Sequence, residues 1–388
     1  MCVLVCAHRC GFFDATTEEL CARWIEVGAF SPFSRDHNTY DAPPQELYRW
    51  ESVTEASRTA LGLRYRLLPY LYTLMFLAHY NGNVVQSPLW MKFPNDAVTL
   101  SQTDGQFMWG SSILFTPVLL QGATSVTGYF PAGLWYSLFD DTAGQQFIDA
   151  SSGGVWVELD TPLTATNAHL RGGHIIPMQA SAMTTDAVHA SPFTLLVAVN
   201  MQNRISHGQL FYDDGEQQEL SHIVRVAYLY EESTRTLLAD VVNASYILSS
   251  AQLVSVEIWG AHVTLNDTQC SASLELVNDN NRKIDATSVH LVNNTNFTKV
   301  IISFDTDIAV NIGTAFEMTW NCVHPEDIDN SGKSHDDDAT GWKSLPKYGQ
   351  TLIIITASMV GVMMIVGIGY FVVTANKPSR DGLILNSG

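Results

Sequence analysis

Carboxylate and imidazole side chains that could take part in hydrolysis fall in two short stretches of the sequence. The first is Asp213–Glu216, which reads Asp-Asp-Gly-Glu and places neighbouring carboxylates where general acid and base roles could be shared. Its Asp-Gly pair is also typical of a hairpin tip, and we favour that interpretation. The second is His37, with Asp36 and Asp41 nearby. A lone histidine is more often structural than catalytic, so spacing alone assigns His37 no role.

Residues 10–82, which contain His37, have helical patterning with interruptions. A capping box at Thr16–Glu19 predicts a helix that ends at Gly28, and Ala29–Phe33 predicts a short strand. A second box at Ser52–Glu55 predicts a longer helix that Pro69 kinks and that Asn81-Gly82 ends. Two strand–helix units cannot cover both faces of a parallel sheet. The segment is therefore either a helical subdomain or the last piece of a larger unit.

From residue 84 the pattern changes to short runs rich in β-branched and aromatic residues, separated by Gly, Pro, Asn and Asp. This spacing is typical of all-β sandwiches. We predict two β-sandwich domains that divide near residue 183, in a chain that is mainly β. One predicted run is Val84–Phe93, another is Leu170–Pro177, and further runs continue to residue 304.

The charge balance excludes one class of partner. The formal net charge is −19, which disfavours nucleic acid because phosphate binding needs an excess of Lys and Arg. Between Cys322 and Gly341 there are six acidic residues and one lysine, so this stretch is predicted to be a solvated linker. A calcium site there is disfavoured, because the ligand spacing of an EF-hand is absent.

Leu352–Val373 contains 22 residues without a charge. At a rise of about 1.5 Å per residue this run spans about 33 Å, which predicts a transmembrane helix rather than a buried core helix. We expect a luminal or extracellular body and a short cytoplasmic tail. Met1–His8 is too short and lacks the basic residues of a signal peptide, so we expect either a cytosolic tail-anchored body or a true start that is missing.

Two further features agree with a body outside the cytosol. Six cysteines are present, of which Cys270 and Cys322 are a candidate disulfide pair late in the β region. Four sequons for N-glycosylation lie in one segment, at Asn243, Asn266, Asn293 and Asn296.

Ordered motifs along most of the chain resemble a known family. Cys10-Gly-Phe is followed by EELCARW, GAFSPFSRDHN, LGLRYRLLPYLYTL, SPLWMKFP, QFMWGSSILFTPVL, GYFPAGLWYSL, LRGGHIIPMQ and LFYDDGE. This series resembles the end of the catalytic barrel and the β domains of glycoside hydrolase family 31, the α-glucosidases. The resemblance covers residues 10–320. Residues 1–9 depart from the family pattern, which predicts a start that does not belong to the family.

The resemblance implies a fold and an activity. The family places a (β/α)8 barrel before two β-sandwiches and releases terminal α-linked glucose with retention, using two carboxylates and no cofactor or metal. Neither carboxylate is found in the printed sequence, including the nucleophile's Trp-x-Asp-Met-Asn-Glu motif. We therefore expect no activity from this chain alone. An α-glucoside oligosaccharide is the implied substrate, with weak or no binding.

The resemblance also implies roles for individual residues. His37 matches a histidine that hydrogen-bonds glucose hydroxyls, and Phe12 matches an aromatic residue that lines the same subsite. Cys10 and Cys21 match a family disulfide. Arg35 is interpreted as a loop anchor, and the Asp213 turn as lying far from the active site.

The alternative hypothesis is a membrane-anchored β-sandwich module that binds carbohydrate or protein without catalysis. A hydrolase with an unrelated site is not favoured by any motif. The predicted segments are residues 1–9 (non-family start), 10–89 (end of the catalytic barrel), 90–183 (proximal β-sandwich), 184–322 (distal β-sandwich), 323–350 (acidic linker), 351–374 (transmembrane helix) and 375–388 (tail).

Overall fold

The structure, a computed structural model, describes residues 6–139, 147–200, 202–216, 221–245, 251–263, 269–277, 279, 282–293, 297–307 and 310–323. The predicted membrane helix and tail lie outside these residues, as does the acidic linker beyond residue 323. None of the helices in the described ranges is both long and apolar enough to cross a bilayer.

The first segment contains a β–α–β unit. Strand β1 (Cys6–Arg9) pairs in parallel with β2 (Phe33–Asp36), and helix α1 (Glu18–Gly28) connects them. The predicted strand at Ala29–Phe33 therefore lies further along the chain. The predicted N-cap at Thr16 is wrong by one residue, because Thr17 accepts the cap hydrogen bond from the Leu20 N–H at 3.2 Å. Leu20 then stands at N3, so Glu19 does not complete a capping box.

The long predicted helix is broken rather than kinked. Helix α2 (Glu51–Arg66) is capped by Leu67, and α3 (Leu68–Asn81) has Pro69 in its first turn. Proline lacks an N–H and so fits a helix start, where that donor has no partner within the helix. Gly82 ends α3 in the left-handed conformation, at φ 74°, which confirms the predicted stop.

The rest of the described chain is mainly β, which confirms the predicted class. A 3-10 turn at Leu89–Met91 interrupts the predicted run Val84–Phe93, and a short helix, α4 (Thr185–His189), lies among the strands. The strands are β3 (Gln86–Ser87), β4 (Phe107–Trp109), β5 (Ile113–Phe115), β6 (Ser125–Phe130), β7 (Gly133–Ser137), β8 (Phe147–Ala150), β9 (Val155–Asp160), β10 (Ala168–Arg171), β11 (His174–Gln179), β12 (Phe193–Ala198), β13 (Ile205–Asp213), β14 (Ile223–Glu231), β15 (Thr236–Ala244), β16 (Gln252–Trp259), β17 (Gln269–Leu276), β18 (Lys283–Asp285), β19 (Ser288–Asn293), β20 (Thr298–Ser303), β21 (Val310–Asn311) and β22 (Phe316–Val323).

These strands form a six-stranded sheet, a twelve-stranded sheet and a separate pair, β6–β9. The six-stranded sheet runs β3-β4-β5-β10-β7-β8, and the larger sheet runs from β18 to β19, with β21 beside β16. The predicted run Leu170–Pro177 is divided by Gly172 and Gly173 between the two sheets. Gly208 in β13 passes so close to β11 that a Cβ would lie 2.2 Å from the Ile175 carbonyl oxygen.

Both faces of the six-stranded sheet are buried. Trp109, Ile113 and Tyr136 pack in one cluster with α2, α3 and the larger sheet. Their neighbours Met108 and Trp135 point the other way, into a cluster with β6 and β9. This period-two alternation follows from the pleat of a strand. The first segment is thus attached to the β region through a continuous apolar core.

Candidate functional site

The predicted site residues lie at one edge of the parallel pair. Phe12 comes three residues after β1 ends, and His37 comes one residue after β2 ends. Because carboxyl ends of parallel strands meet at the same edge, the two residues are brought together although 25 positions separate them in the sequence. In barrels of alternating strands and helices, this edge is where active sites form.

The two rings are in direct contact. The centroids of Phe12 and His37 lie 5.4 Å apart at an interplanar angle of 81°, an edge-to-face arrangement. The Thr39 N–H donates to the Phe12 carbonyl at 2.9 Å, which ties the two loops together. His37 is exposed and Phe12 is half-buried, so both can meet a ligand from solvent.

The loop that carries Phe12 is held by its backbone and by a disulfide. Gly11 has φ 89°, a left-handed conformation that favours glycine. The structure joins Cys10 to Cys21 in a disulfide, which attaches the end of β1 to α1. Both cysteines are buried. The position of Phe12 is therefore fixed at its N-terminal side.

Sequence reasoning missed the residue that connects the two loops. Gln45 is buried, and its Nε2 donates to the Gly11 carbonyl at 3.1 Å and to Asp36 Oδ1 at 2.9 Å. Asp36 is thus part of the contact that joins the two loops. A glutamine between prolines and a polar turn has no motif that would have indicated this contact.

Arg64 on α2 holds the segment of chain that leads into β2. Its guanidinium donates to the carbonyls of Ala29 at 2.6 Å, Ser31 at 2.7 Å and Pro32 at 3.0 Å. A guanidinium presents several donors in a fixed plane, which suits three neighbouring carbonyls. The segment that leads to His37 is therefore held by α2.

Helix α1 is fastened to the β region by a buried polar pair. Arg23 lies 3.0 Å from Glu26 and also donates to the carbonyls of Ala123, Thr161 and Pro162. Burial raises the pKa of Glu26 to about 8, although the charge and hydrogen bond of Arg23 act in the opposite direction. Burial thus shifts the protonation equilibrium of Glu26 toward the neutral carboxyl.

The other acidic stretch has a structural role. Asp213 ends β13, is buried, and accepts from the Tyr72 hydroxyl at 3.0 Å and 2.9 Å. Burial and then this carboxylate raise the pKa of Tyr72. The hairpin between β13 and β14 confirms the favoured interpretation of a turn, but its connection runs from 214 to 222 and is not a tight two-residue tip. Asp213 instead joins α3 to the larger sheet.

The Phe12–His37 edge has the chemistry to bind a ligand that is polar but has one apolar face. An aromatic ring can stack on such a face, and an imidazole can donate or accept hydrogen bonds with hydroxyl groups. Exposed aromatic side chains of Phe13 and Tyr40 lie in the same loops. Searched over the described ranges, the chain shows no group of three or more His, Cys, Asp or Glu residues placed to hold a metal ion.

The disulfides and sequons expected of a body outside the cytosol lie partly within the described residues. Cys270 and Cys322 lie opposite each other on β17 and β22 and form a disulfide. Asn243 on β15 and Asn293 on β19 are exposed. Asn266 and Asn296 lie outside the described residues.

Comparison with known families gives two matches. The "Glycosyl hydrolases family 31 TIM-barrel domain" matches residues 2–74, and the "Glycosyl hydrolase family 31 C-terminal domain" matches residues 82–176. The chain is thus similar to glycoside hydrolases in which a barrel precedes a β-rich C-terminal region. More particularly, it belongs to glycoside hydrolase family 31.

Curated relatives agree with this assignment. A probable α-glucosidase of rice (Oryza sativa subsp. japonica) is 47% identical over 218 residues, 56% of this chain and 24% of that protein. Lysosomal α-glucosidase of Rattus norvegicus is 43% identical over 282 residues, 69% of this chain and 29% of that protein. The chain therefore spans 24% to 29% of the length of these relatives.

Solved structures show the same fold at lower identity. The glucosidase II α subunit bound to α3-Glc2 has a TM-score of 0.71 at 23% identity, covering 80% of this chain and 34% of that one. A Flavobacterium johnsoniae family 31 dextranase complexed with glucose has a TM-score of 0.60 at 22% identity, covering 78% and 37%.

Proposed function

We propose that residues 6–81 supply one wall of the glucose subsite of a retaining family 31 α-glucosidase, with Phe12 and His37 in contact with the sugar. The observation that carries this proposal is the contact between the two rings at the carboxyl edge of β1 and β2. Gln45, Arg64 and the Cys10–Cys21 disulfide hold the two loops in place. A preorganised wall of this kind lowers the entropic cost of binding.

The substrate class we propose is a terminal α-linked glucoside in an oligosaccharide. Its support is the set of relatives, among them α-glucosidases of rice and rat and solved structures bound to α3-Glc2 and to glucose. Retaining hydrolysis needs two carboxylates about 5 Å apart, one as nucleophile and one as acid and base. Within the described loops, Asp36 is already hydrogen-bonded to Gln45. Because neither catalytic motif of the family is found in residues 1–388, we propose that this chain alone does not hydrolyse the glycosidic bond.

Titration of the purified chain with methyl α-glucoside, followed by ligand-observed NMR, tests the subsite. We expect His37→Ala to weaken binding about tenfold, which is the effect of losing one hydrogen bond to a ligand. His290→Ala is the matched control, since His290 is exposed on β19. Equal affinity of the His37→Ala variant and the unaltered chain would contradict the proposal.

A hydrolysis assay tests the second part separately. We expect the chain to release no product from maltose or from a chromogenic α-glucoside, because neither carboxylate motif is in its sequence. Turnover at an ordinary enzymatic rate would show this to be wrong. Binding that survives His37→Ala and Phe12→Ala but depends on residues 84–323 would favour the non-catalytic binding module.

We also propose that the two sheets build two β-sandwich domains and that residues 351–374 anchor the chain in a membrane. The sandwich proposal is supported by the burial of both faces of the six-stranded sheet. The luminal or extracellular side is supported by two disulfides and by exposed sequon residues Asn243 and Asn293. The test is translation into microsomes. We expect the body of the unaltered chain to be glycosylated and protected from protease, and we expect Asn243→Gln to lose glycosylation. An unglycosylated and protease-sensitive body would contradict the proposal.

A further inference from the structure

A cavity lies away from the Phe12–His37 edge, where α3, β11 and β13 meet. It has a volume of about 270 Å³. Its wall includes Tyr70, Lys92, Ser112, His174 and His207. The first four belong to four motifs of the sequence that the proposed function does not use, and His207 lies outside the motifs. We call this space the basic cavity.

The wall of the basic cavity contains basic side chains and no acidic one. Lys92, His174 and His207 line it, and no aspartate or glutamate is found among the fifteen residues of its wall. The chain as a whole has 39 acidic residues against 20 Lys and Arg. The wall therefore differs from the chain as a whole, in which acidic residues outnumber Lys and Arg.

The bases lie in surroundings where a positive charge is costly. Burial lowers the pKa of His174 to about 3, with Arg171 and His207 adding to the effect. Burial also lowers the pKa of Lys92 and of His207. Among the described residues the structure gives Lys92 no ion pair. An anion in the cavity would supply the missing counter-charge and would favour the protonated forms of these groups.

Fixed polar groups stand beside the bases. Ser112 Oγ lies 3.1 Å from His174 Nδ1, so the imidazole is held in one orientation. Tyr70 donates its hydroxyl hydrogen to the Trp109 carbonyl at 3.0 Å, which fixes the ring that closes one side. The volume is below the roughly 300–1,000 Å³ of typical sites for drug-sized ligands. It suits an ion of the size of phosphate together with a few waters.

We propose that the basic cavity binds a phosphate-sized oxyanion through Lys92, His174 and His207. The cavity is walled by α3 from the first segment and by strands of the larger sheet, so an occupant contacts both. Binding to the folded state alone stabilises that state by mass action. The anion therefore strengthens the joint between the first segment and the β region.

Thermal unfolding of the full chain in phosphate, with sodium chloride at equal ionic strength as the reference, tests the proposal. We expect a saturable rise in Tm with phosphate, and a Kd from calorimetry that is at least tenfold weaker in Lys92→Gln. Lys283→Gln is the control, since Lys283 is exposed on β18 and should bind as the unaltered chain does. Glucose 6-phosphate distinguishes a phosphomonoester from free phosphate as the source of the oxyanion.

A spectroscopic readout separates binding from a structural role. Phosphate should shift the ring resonances of His174 and His207 in the unaltered chain, whether or not any variant folds. The same shifts should be absent with chloride. A Tm that rises equally in both salts, or histidine resonances that do not respond to phosphate, would overturn the proposal.

Discussion

The buried carboxyl of Glu26 makes a sharp prediction about stability and pH. Glu26 lies on α1 against Arg23 and the first β region, and burial raises the pKa of its carboxyl to about 8. The unfolded value is 4.5. Between these values the folded state binds a proton that the unfolded chain has lost. The free energy of unfolding therefore falls as pH rises through this window.

The magnitude follows from the two pKa values. One proton of difference changes the free energy of unfolding by up to about 1.4 kcal/mol per pH unit. With a folded pKa of about 8 and an unfolded value of 4.5, the contribution of Glu26 falls by about 3 kcal/mol from about pH 5 to about pH 7.5. Glu26→Gln keeps the shape and one acceptor for Arg23 but cannot ionise, so the variant should lack this loss.

The assay is urea denaturation of the full chain and of the variant at a series of pH values. The difference between the two free energies isolates Glu26 from the remaining charges of an acidic protein. Glu55→Gln, the same substitution at an exposed position on α2, is the matched control. Parallel curves for Glu26→Gln and the unaltered chain would refute the reasoning. A difference of the opposite sign would show that Glu26 is ionised and paired with Arg23.

Three further changes are expected to alter the free energy of unfolding, each measured by urea denaturation. Gly208→Ala should lower the free energy of unfolding by about 3 kcal/mol, because the new Cβ would meet the backbone of β11. Gly62→Ala in α2, where the space is open, is the control and should raise it by about 0.5–1 kcal/mol. Equal effects of the two substitutions would contradict this. Replacing Cys270 and Cys322 together by alanine should lower the free energy of unfolding by up to about 4 kcal/mol, because the disulfide closes a loop of 52 residues. An unchanged free energy of unfolding would contradict the pairing. Arg64→Ala should cost about 3 kcal/mol, since three carbonyls lose a charged donor, and a change below about 0.5 kcal/mol would contradict this role.

Local signals predicted the elements better than their ends. The period of apolar residues indicated α1 and the change to strands after residue 84. The cap of α1 was placed one residue early because Thr16 and Thr17 are chemically equivalent, and only the fold decides which hydroxyl faces the Leu20 N–H. Pro69 indicated a disturbance, but whether a proline kinks a helix or starts a new one depends on packing.

Contacts between distant parts of the chain could not be predicted from local pattern. Arg23 reaches carbonyls that lie 100 to 139 positions away in the sequence, and Tyr72 reaches Asp213 across 141 positions. The Phe12–His37 contact was expected only through a family resemblance, since neither residue type has a spacing rule that links them. The cross-strand position of Cys270 and Cys322 likewise depends on the register of β17 and β22.

Two buried titratable groups of opposite sign shape the pH response of the folded chain. Glu26, with its raised pKa, contributes a loss of stability as pH rises from 4.5 to about 8. His174 has a folded pKa of about 3 against 6.5 unfolded, so it contributes a gain of stability as pH rises through that range. Where the windows overlap, from about 4.5 to about 6.5, the two slopes cancel, because each corresponds to one proton of opposite sense. An oxyanion that raises the folded pKa of His174 would narrow the pH range over which His174 adds stability, by raising the lower limit of that range. The loss of stability due to Glu26 would then be uncompensated from a lower pH. The contributions of Glu26 on α1 and His174 on β11 therefore add in the free energy of unfolding, each with its own pH window.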